Sequence, residues 1–168
     1  MVTDLAEIRL HAAEKEAENL AFRRHLSAHH HRIEEFQIIA EEVQQQIDCT
    51  QCANCCRHTS VSVTHEDIER ISRRLDLTAE EVVHKYTTRE PDAPALRQLA
   101  STSDGCVFLK GNLCSIYTAR PKACREFPHI APCTHSLGGR LESLCRHASL
   151  CPIIFNAIEQ FKRVVGYR

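Results

Sequence analysis

Four cysteines fall within eight residues, Cys49-Thr50-Gln51-Cys52-Ala53-Asn54-Cys55-Cys56, and six more follow at Cys106, Cys114, Cys124, Cys133, Cys145 and Cys151. Thiolates bind soft and borderline metal ions, and two of them a few residues apart can reach one ion. Cys49, Cys52 and Cys55 have the spacing of the first three ligands in a bacterial ferredoxin-type iron–sulfur run, in which the fourth cysteine precedes a proline. The chain has one Cys-Pro pair, Cys151-Pro152, so Cys151 is a candidate remote ligand. Cys56 follows Cys55 directly. Adjacent side chains point apart in most backbone conformations, so one of the two is expected to face a second metal or to bridge two.

Ten cysteines could instead pair as disulfides, which requires an oxidising compartment. Met1–Leu20 is charged throughout and has no apolar secretory segment. No stretch approaches the roughly 18–20 apolar residues of a membrane span. The reading is therefore a cytoplasmic, non-membrane protein whose cysteines ligate metal. A formal net charge of −1 over 168 residues provides no long-range attraction for nucleic acid. Tryptophan is absent and aromatics are 5% of residues, so the core is modest and needs a staple such as metal.

Other side chains could join the site, each with a plainer role. His25 and His29 are one helical turn apart and could hold a metal between them, although a histidine run on an exposed helix, here continuing through His30 and His31, is more often solvated. His58, His129, His135 and His147 are further candidates with surface or structural alternatives. Cys133 and Cys145 could equally be buried as small apolar groups. Arg120 and Arg125 could offset thiolate charge or pair with Asp67 or Glu126. Tyr117 and Phe127 read as core residues packed against the site.

The elements that must position these residues form an α+β, mostly helical chain. The expected organisation is a helical arm over residues 1–47 and a small cysteine-cluster, metal-stabilised domain over 48–168. Asp4–Ile47 lacks Gly and Pro, and alternate steps of three and four pick out Leu5, Ile8, Ala12, Lys15, Asn19, Phe22, Leu26, His29, Ile33, Phe36, Ala40, Val43 and Ile47. This heptad-like seam fits a continuous helix of about 65 Å. Such a helix would pair as a coiled coil, in a homodimer or with a protein partner. A hairpin folded back near Ser27–His31 fits the seam equally.

Beyond the cluster, Ser60–Val63 alternates as a short strand. Thr64 and Thr78 are expected to cap two helices, the second with a capping-box Glu81. Ala95–Ala100 reads as a helical turn. Cys106–Leu109 and Leu113–Tyr117 read as a β-hairpin turning at Lys110-Gly111-Asn112, with Cys106 and Cys114 near its open end. A turn then presents Cys124, Ile130–Arg146 is irregular, and Cys151-Pro152 starts a final amphipathic helix.

Several of these pieces recur together: Cys49-x2-Cys52-x2-Cys55-Cys56-Arg57, Thr64-His65-Glu66-Asp67-Ile68, Gly105-Cys106-Val107-Phe108-Leu109, Cys114-Ser115-Ile116-Tyr117, Arg120-Pro121 and Cys124-Arg125-Glu126-Phe127-Pro128. In them, and in their order, the chain resembles the YkgJ-type CxxCxxCC cysteine-cluster family of zinc- or iron-chelating domains. The resemblance implies metal ligation by Cys49, Cys52, Cys55, Cys56, Cys106, Cys114 and Cys124. Family members often carry Gly where this chain has Ala53. The expected function is an iron–sulfur cluster or zinc held by clustered thiolates. Flagellin lysine N-methylases carry a similar cluster, so a metal-dependent methyltransferase or redox enzyme is the alternative. The sequence has no Gly-rich cofactor loop after a strand and no His-Glu-x-x-His motif to favour that alternative.

Overall fold

The computed structural model describes residues 1–29, 33–90, 92–130 and 137–167. His30, His31, Cys133 and His135, named above as candidates, lie outside them. The fold is mostly helical with small antiparallel sheets. It divides into two compact units, one built from Met1–Asp48 with Pro128–Arg168 and the other from Cys49–Phe127. The tail that the sequence reading joined to the cysteine domain thus groups with the N-terminal helices.

Among the described residues the elements of the first unit are helices: α1 (Leu5–Glu14), α2 (Glu16–His29), α3 (Ile33–Gln45), α9 (Leu137–His147) and α10 (Pro152–Val164). Asp4 caps α1 by accepting from the N–H groups of Ala6 and Glu7 at 3.0 and 2.9 Å. The seam residues Ile8, Ala12, Phe22, Leu26, Phe36, Ala40 and Val43 are buried, as their spacing requires. They do not lie along one rod. Phe161 of α10 packs edge-on against both Phe22 of α2 and Phe36 of α3, with ring centroids 5.9 and 5.5 Å apart. One straight helix would separate Phe22 from Phe36 by about 21 Å. The folded-back arrangement is therefore the one formed.

The reason is α10. Ile153, Ile154, Phe155, Ala157, Ile158 and Phe161 are all buried, more apolar surface than a single neighbouring helix can cover. The polar exceptions are Asn156 and Lys162, the latter 4% exposed, with its ammonium donating to Glu18 and Glu159 at 2.7 Å each. The segment expected to be irregular contains α9. Gly138 and Gly139 hide a helix whose Leu141 and Leu144 are buried at helical spacing, followed by buried Ala148.

The second unit begins with α4 (Cys49–Cys52) and α5 (Asn54–His58), then β1 (Ser62–Val63), α6 (His65–Leu75) and α7 (Ala79–Tyr86). Both long helices start with capping boxes, Thr64 with Asp67 and Thr78 with Glu81. Next come β2 (Thr87–Glu90) and β3 (Ala93–Leu99). The expected helical turn at Ala95–Ala100 is instead the central strand of an antiparallel sheet ordered β1-β3-β2. The short ribbons β4 (Ser101–Thr102) with β5 (Gly105–Cys106), and β6 (Leu109–Lys110) with β7 (Leu113–Cys114), follow.

The hairpin is thus shorter than expected, since Cys106 pairs with Ser101 rather than opposite Cys114. A 3-10 turn at Tyr117–Ala119 and α8 (Lys122–Glu126) complete the unit. Its core is small: Ile68, Ile71, Val82, Leu99, Phe108, Ile116 and Ala119, with Tyr86 stacked on Phe108 at 4.9 Å. No helix among the described residues is long and apolar enough to cross a membrane.

Candidate metal centre

Four contacts gather the cysteine-bearing segments of the Cys49–Phe127 unit. The first lies between α4 and α5. Ala53 adopts a left-handed conformation, φ 49°, so the chain turns there and Cys55 and Cys56 start a new helical turn. This is the conformation glycine reaches most easily.

The second contact seats β5 on α5. Gly105 has φ 114°, and a Cβ built there would lie 2.6 Å from the Arg57 Cα and 2.7 Å from the Cys56 carbonyl oxygen. Only a residue without a side chain lets the two backbones approach this closely, and the approach sets Cys106 beside Cys56.

The third is a clamp around Arg57. Its guanidinium donates to the Gly111 carbonyl and to Asn112 Oδ1, both at 2.8 Å, and to the Cys52 carbonyl at 3.4 Å. Asn112 Nδ2 donates back to the Gln51 carbonyl at 3.0 Å. The turn between β6 and β7 is thereby tied to α4 and α5, and the register Leu109↔Cys114 places Cys114.

The fourth is Asp67, 2% exposed. Its carboxylate accepts from the Thr64 N–H at 3.1 Å, from the Lys122 N–H at 2.9 Å and from Arg70. The Lys122 bond holds the start of α8, which carries Cys124. Burial pushes the Asp67 carboxyl up, but the Thr64 and Lys122 donors and the Arg70 charge together hold it below the ordinary carboxylate range. Arg70, not Arg120, is therefore the side-chain partner of Asp67, and Glu126 pairs with Lys122 at 3.7 Å. Arg120 lies over the Tyr117 ring, 3.6 Å from its centroid, and donates to the Tyr117 carbonyl at 2.9 Å. Arg125 donates to the Arg120 carbonyl at 2.6 Å.

The ionisation of the thiols reflects this gathering. Cys56 is lowered to about 6, chiefly because the Cys55 side chain donates a hydrogen bond to its sulfur, with help from the charges of Arg120 and Arg57. Burial raises Cys106 and Cys114, and each also feels Cys56. Cys124 is pushed up to about 12 by burial and then by Cys106, Cys56 and Cys114. Sulfurs from α5, β5, β7 and α8 are thus close enough to sense one another's charge.

Among the described residues no group of three or more Cys, His, Asp or Glu side chains is already arranged to hold an ion. None of the described cysteines is in a disulfide. The donors are sulfur from four separate segments, with two guanidinium groups to balance thiolate charge, and this chemistry fits zinc or iron.

The remaining candidates are placed as follows. Cys49 is exposed on α4 and Cys52 is half-buried at its end. Cys145, raised to about 11 chiefly by burial, and Cys151, buried as the N-cap of α10, belong to the helical unit. Pro152 is the first residue of α10, where a missing N–H costs no hydrogen bond, so the Cys-Pro pair has a structural reason of its own. His58 ends α5, and His129 has φ 62°. His147 Nδ1 donates to the Ser143 carbonyl at 2.8 Å. Sequence reasoning missed the roles of Arg57 and Asn112. The only local signal for them was their position next to a cysteine pair and in a Gly-Asn turn.

No solved structure matches the chain. A family model described as "CxxCxxCC: Putative zinc- or iron-chelating domain" matches residues 48–152, more than half of the sequence. With the cysteines gathered in this way, the chain belongs to the CxxCxxCC family of zinc- or iron-chelating domains.

Proposed function

We propose that the Cys49–Phe127 unit holds an iron–sulfur cluster and owes much of its folding free energy to that centre. Cys56, Cys106, Cys114 and Cys124 are the inner ligands. Cys49, Cys52 and Cys55 are sulfurs available for a second cluster site or for ligand exchange. One observation carries the reading: segments far apart in sequence, each bearing cysteine, are pinned together by the Gly105 seat, the Arg57–Asn112 clamp and the Asp67–Lys122 bond. A small apolar core gives little other reason to bring them together. The ferredoxin-like spacing of Cys49, Cys52 and Cys55 favours iron–sulfur over zinc.

The centre, when bound, supplies cross-links between segments, and its iron would carry any electron-transfer chemistry. Arg57 and Arg120 offset the thiolate charge, and Arg57 also holds the β6–β7 turn in place. Anaerobic purification followed by iron, zinc and sulfide analysis tests the reading. Brown protein containing iron and inorganic sulfide is the expected result. Colourless protein with stoichiometric zinc would replace the cluster by a structural zinc site. A folded protein without metal would overturn both.

A further inference from the structure

A cavity of about 320 Å³ lies within the helical unit and draws no residue from the cysteine unit. Small-molecule sites span ~300–1,000 Å³, so its volume suits a compact ligand. One wall is a single stripe of α10, where Phe155, Glu159 and Arg163 follow one another at four-residue steps. The facing wall is His11 and Lys15, one turn apart at the end of α1. Val2 closes one side and is held there by buried Asn156. Asn156 Oδ1 accepts from the Val2 N–H at 2.9 Å, and its Nδ2 donates to the Val2 carbonyl at 2.6 Å. Phe155 and Val2 give the cavity an apolar side. The Phe155 ring is backed by the His11 ring, with centroids 6.4 Å apart and planes 20° from parallel.

The polar side is unevenly committed. Glu159, the carboxylate of the lining, already meets Lys15 at 2.6 Å and Lys162 at 2.7 Å. His11 lies between Glu7 and Glu14, at 3.5 and 3.2 Å. Arg163 differs. Among the described residues its guanidinium has no hydrogen bond or ion pair, and neither has the side-chain amide of Gln160 beside it in the lining. Side chains on a helix lean towards its N-terminus, which is the direction from Arg163 to Phe155. A guanidinium fork matches a carboxylate through two parallel hydrogen bonds. One uncommitted positive charge next to Glu159 suits a singly charged anion better than a doubly charged phosphate, which Glu159 would repel more strongly.

We propose that this cavity binds a small monocarboxylic acid, with its carboxylate on Arg163 and Gln160 and its apolar body against Phe155 and Val2. The test uses full-length, metal-loaded protein in equilibrium dialysis, with benzoate and hexanoate as probes. At least one of them should occupy one site per chain with a Kd of about 1 mM or tighter. Benzamide lacks the charge, acetate lacks the apolar body and inorganic phosphate lacks both a single charge and a body, so each should bind at least about tenfold more weakly.

Arg163→Gln should weaken the bound acid by at least about tenfold, the loss expected when a hydrogen bond to a charged group is removed. Gln160→Trp fills the cavity without changing its charge and should abolish binding. Arg24→Gln is the control, because it removes an exposed positive charge from α2 that does not line the cavity. Circular dichroism of each variant checks that the helices are kept. The proposal is overturned if neither acid binds, or if benzamide, acetate or phosphate binds as tightly. Wild-type affinity in folded Arg163→Gln or Gln160→Trp also overturns it.

Discussion

Two backbone positions beside the cysteines make opposite demands on side-chain size. Ala53 sits at φ 49°, where an L-residue carries a cost of about 1–2 kcal/mol that glycine does not. Ala53→Gly is therefore expected to raise the stability of the unit, by less than about 1 kcal/mol because glycine also loosens the unfolded chain. A urea midpoint that falls would mean the left-handed turn is not a source of strain. Gly105 is the reverse case. Its φ of 114° and the 2.6 Å approach of Arg57 Cα leave a methyl group nowhere to go, and the obstructing atoms are backbone. Gly105→Ala should cost at least ~1–3 kcal/mol and lower the bound metal, because β5 must lift from α5 and carry Cys106 with it. A Gly105→Ala protein with full metal content and an unchanged midpoint would remove the seat from the account of how Cys106 is placed.

Asp67 links three elements, capping α6, pairing with Arg70 and accepting from the first N–H of α8. Asp67→Asn keeps the size but removes the charge from these bonds, and should cost roughly 1–3 kcal/mol at neutral pH. The sign of its pH dependence follows from the lowered folded-state pKa. The contribution is complete above the unfolded carboxylate value and disappears as pH falls through the lower folded one. Urea titrations should therefore show a gap between wild type and Asp67→Asn at pH 7 that closes in acid; a gap of constant size would assign the loss to geometry instead of charge. The Thr64–Asp67 capping box is legible in the sequence because its partners are three residues apart, and the same holds for Thr78–Glu81. The burial of Ile153, Ile158 and Phe161 on α10 is legible for a similar reason. What stays hidden depends on distant partners. Ala95-Leu96-Arg97-Gln98-Leu99 is intrinsically helical, yet it becomes a strand because β1 and β2 supply partners on both sides. The ligand set shows the same division. Cysteine spacing marks Cys49–Cys56 as a site, but no spacing reveals that Asn112 answers Gln51 and Arg57 across more than fifty residues.

The two units differ in what holds them together, and this difference predicts how the whole molecule responds to metal removal. The helical unit has an aromatic core of Phe22, Phe36 and Phe161, filled out by Ile153, Ile154 and Ile158. It also has a partly buried ion cluster in which Lys162 meets Glu18 and Glu159, and Lys15 meets Glu159 at 2.6 Å. None of those contacts depends on a bound ion. The cysteine unit has fewer large apolar side chains and several two-residue strands, a poor source of stability alone. Thiolate sites can contribute apparent binding free energies of ~10–16 kcal/mol, comparable with the ~5–15 kcal/mol that stabilises a typical domain. Hydrogen exchange on metal-loaded and metal-stripped protein should therefore diverge by unit. Amides of α6, α7 and β3 should lose most of their protection on stripping, while those of α2, α3 and α10 keep theirs. Equal loss in both sets would mean that the two units unfold as one, and no loss in either would mean that apolar packing alone sustains the Cys49–Phe127 fold.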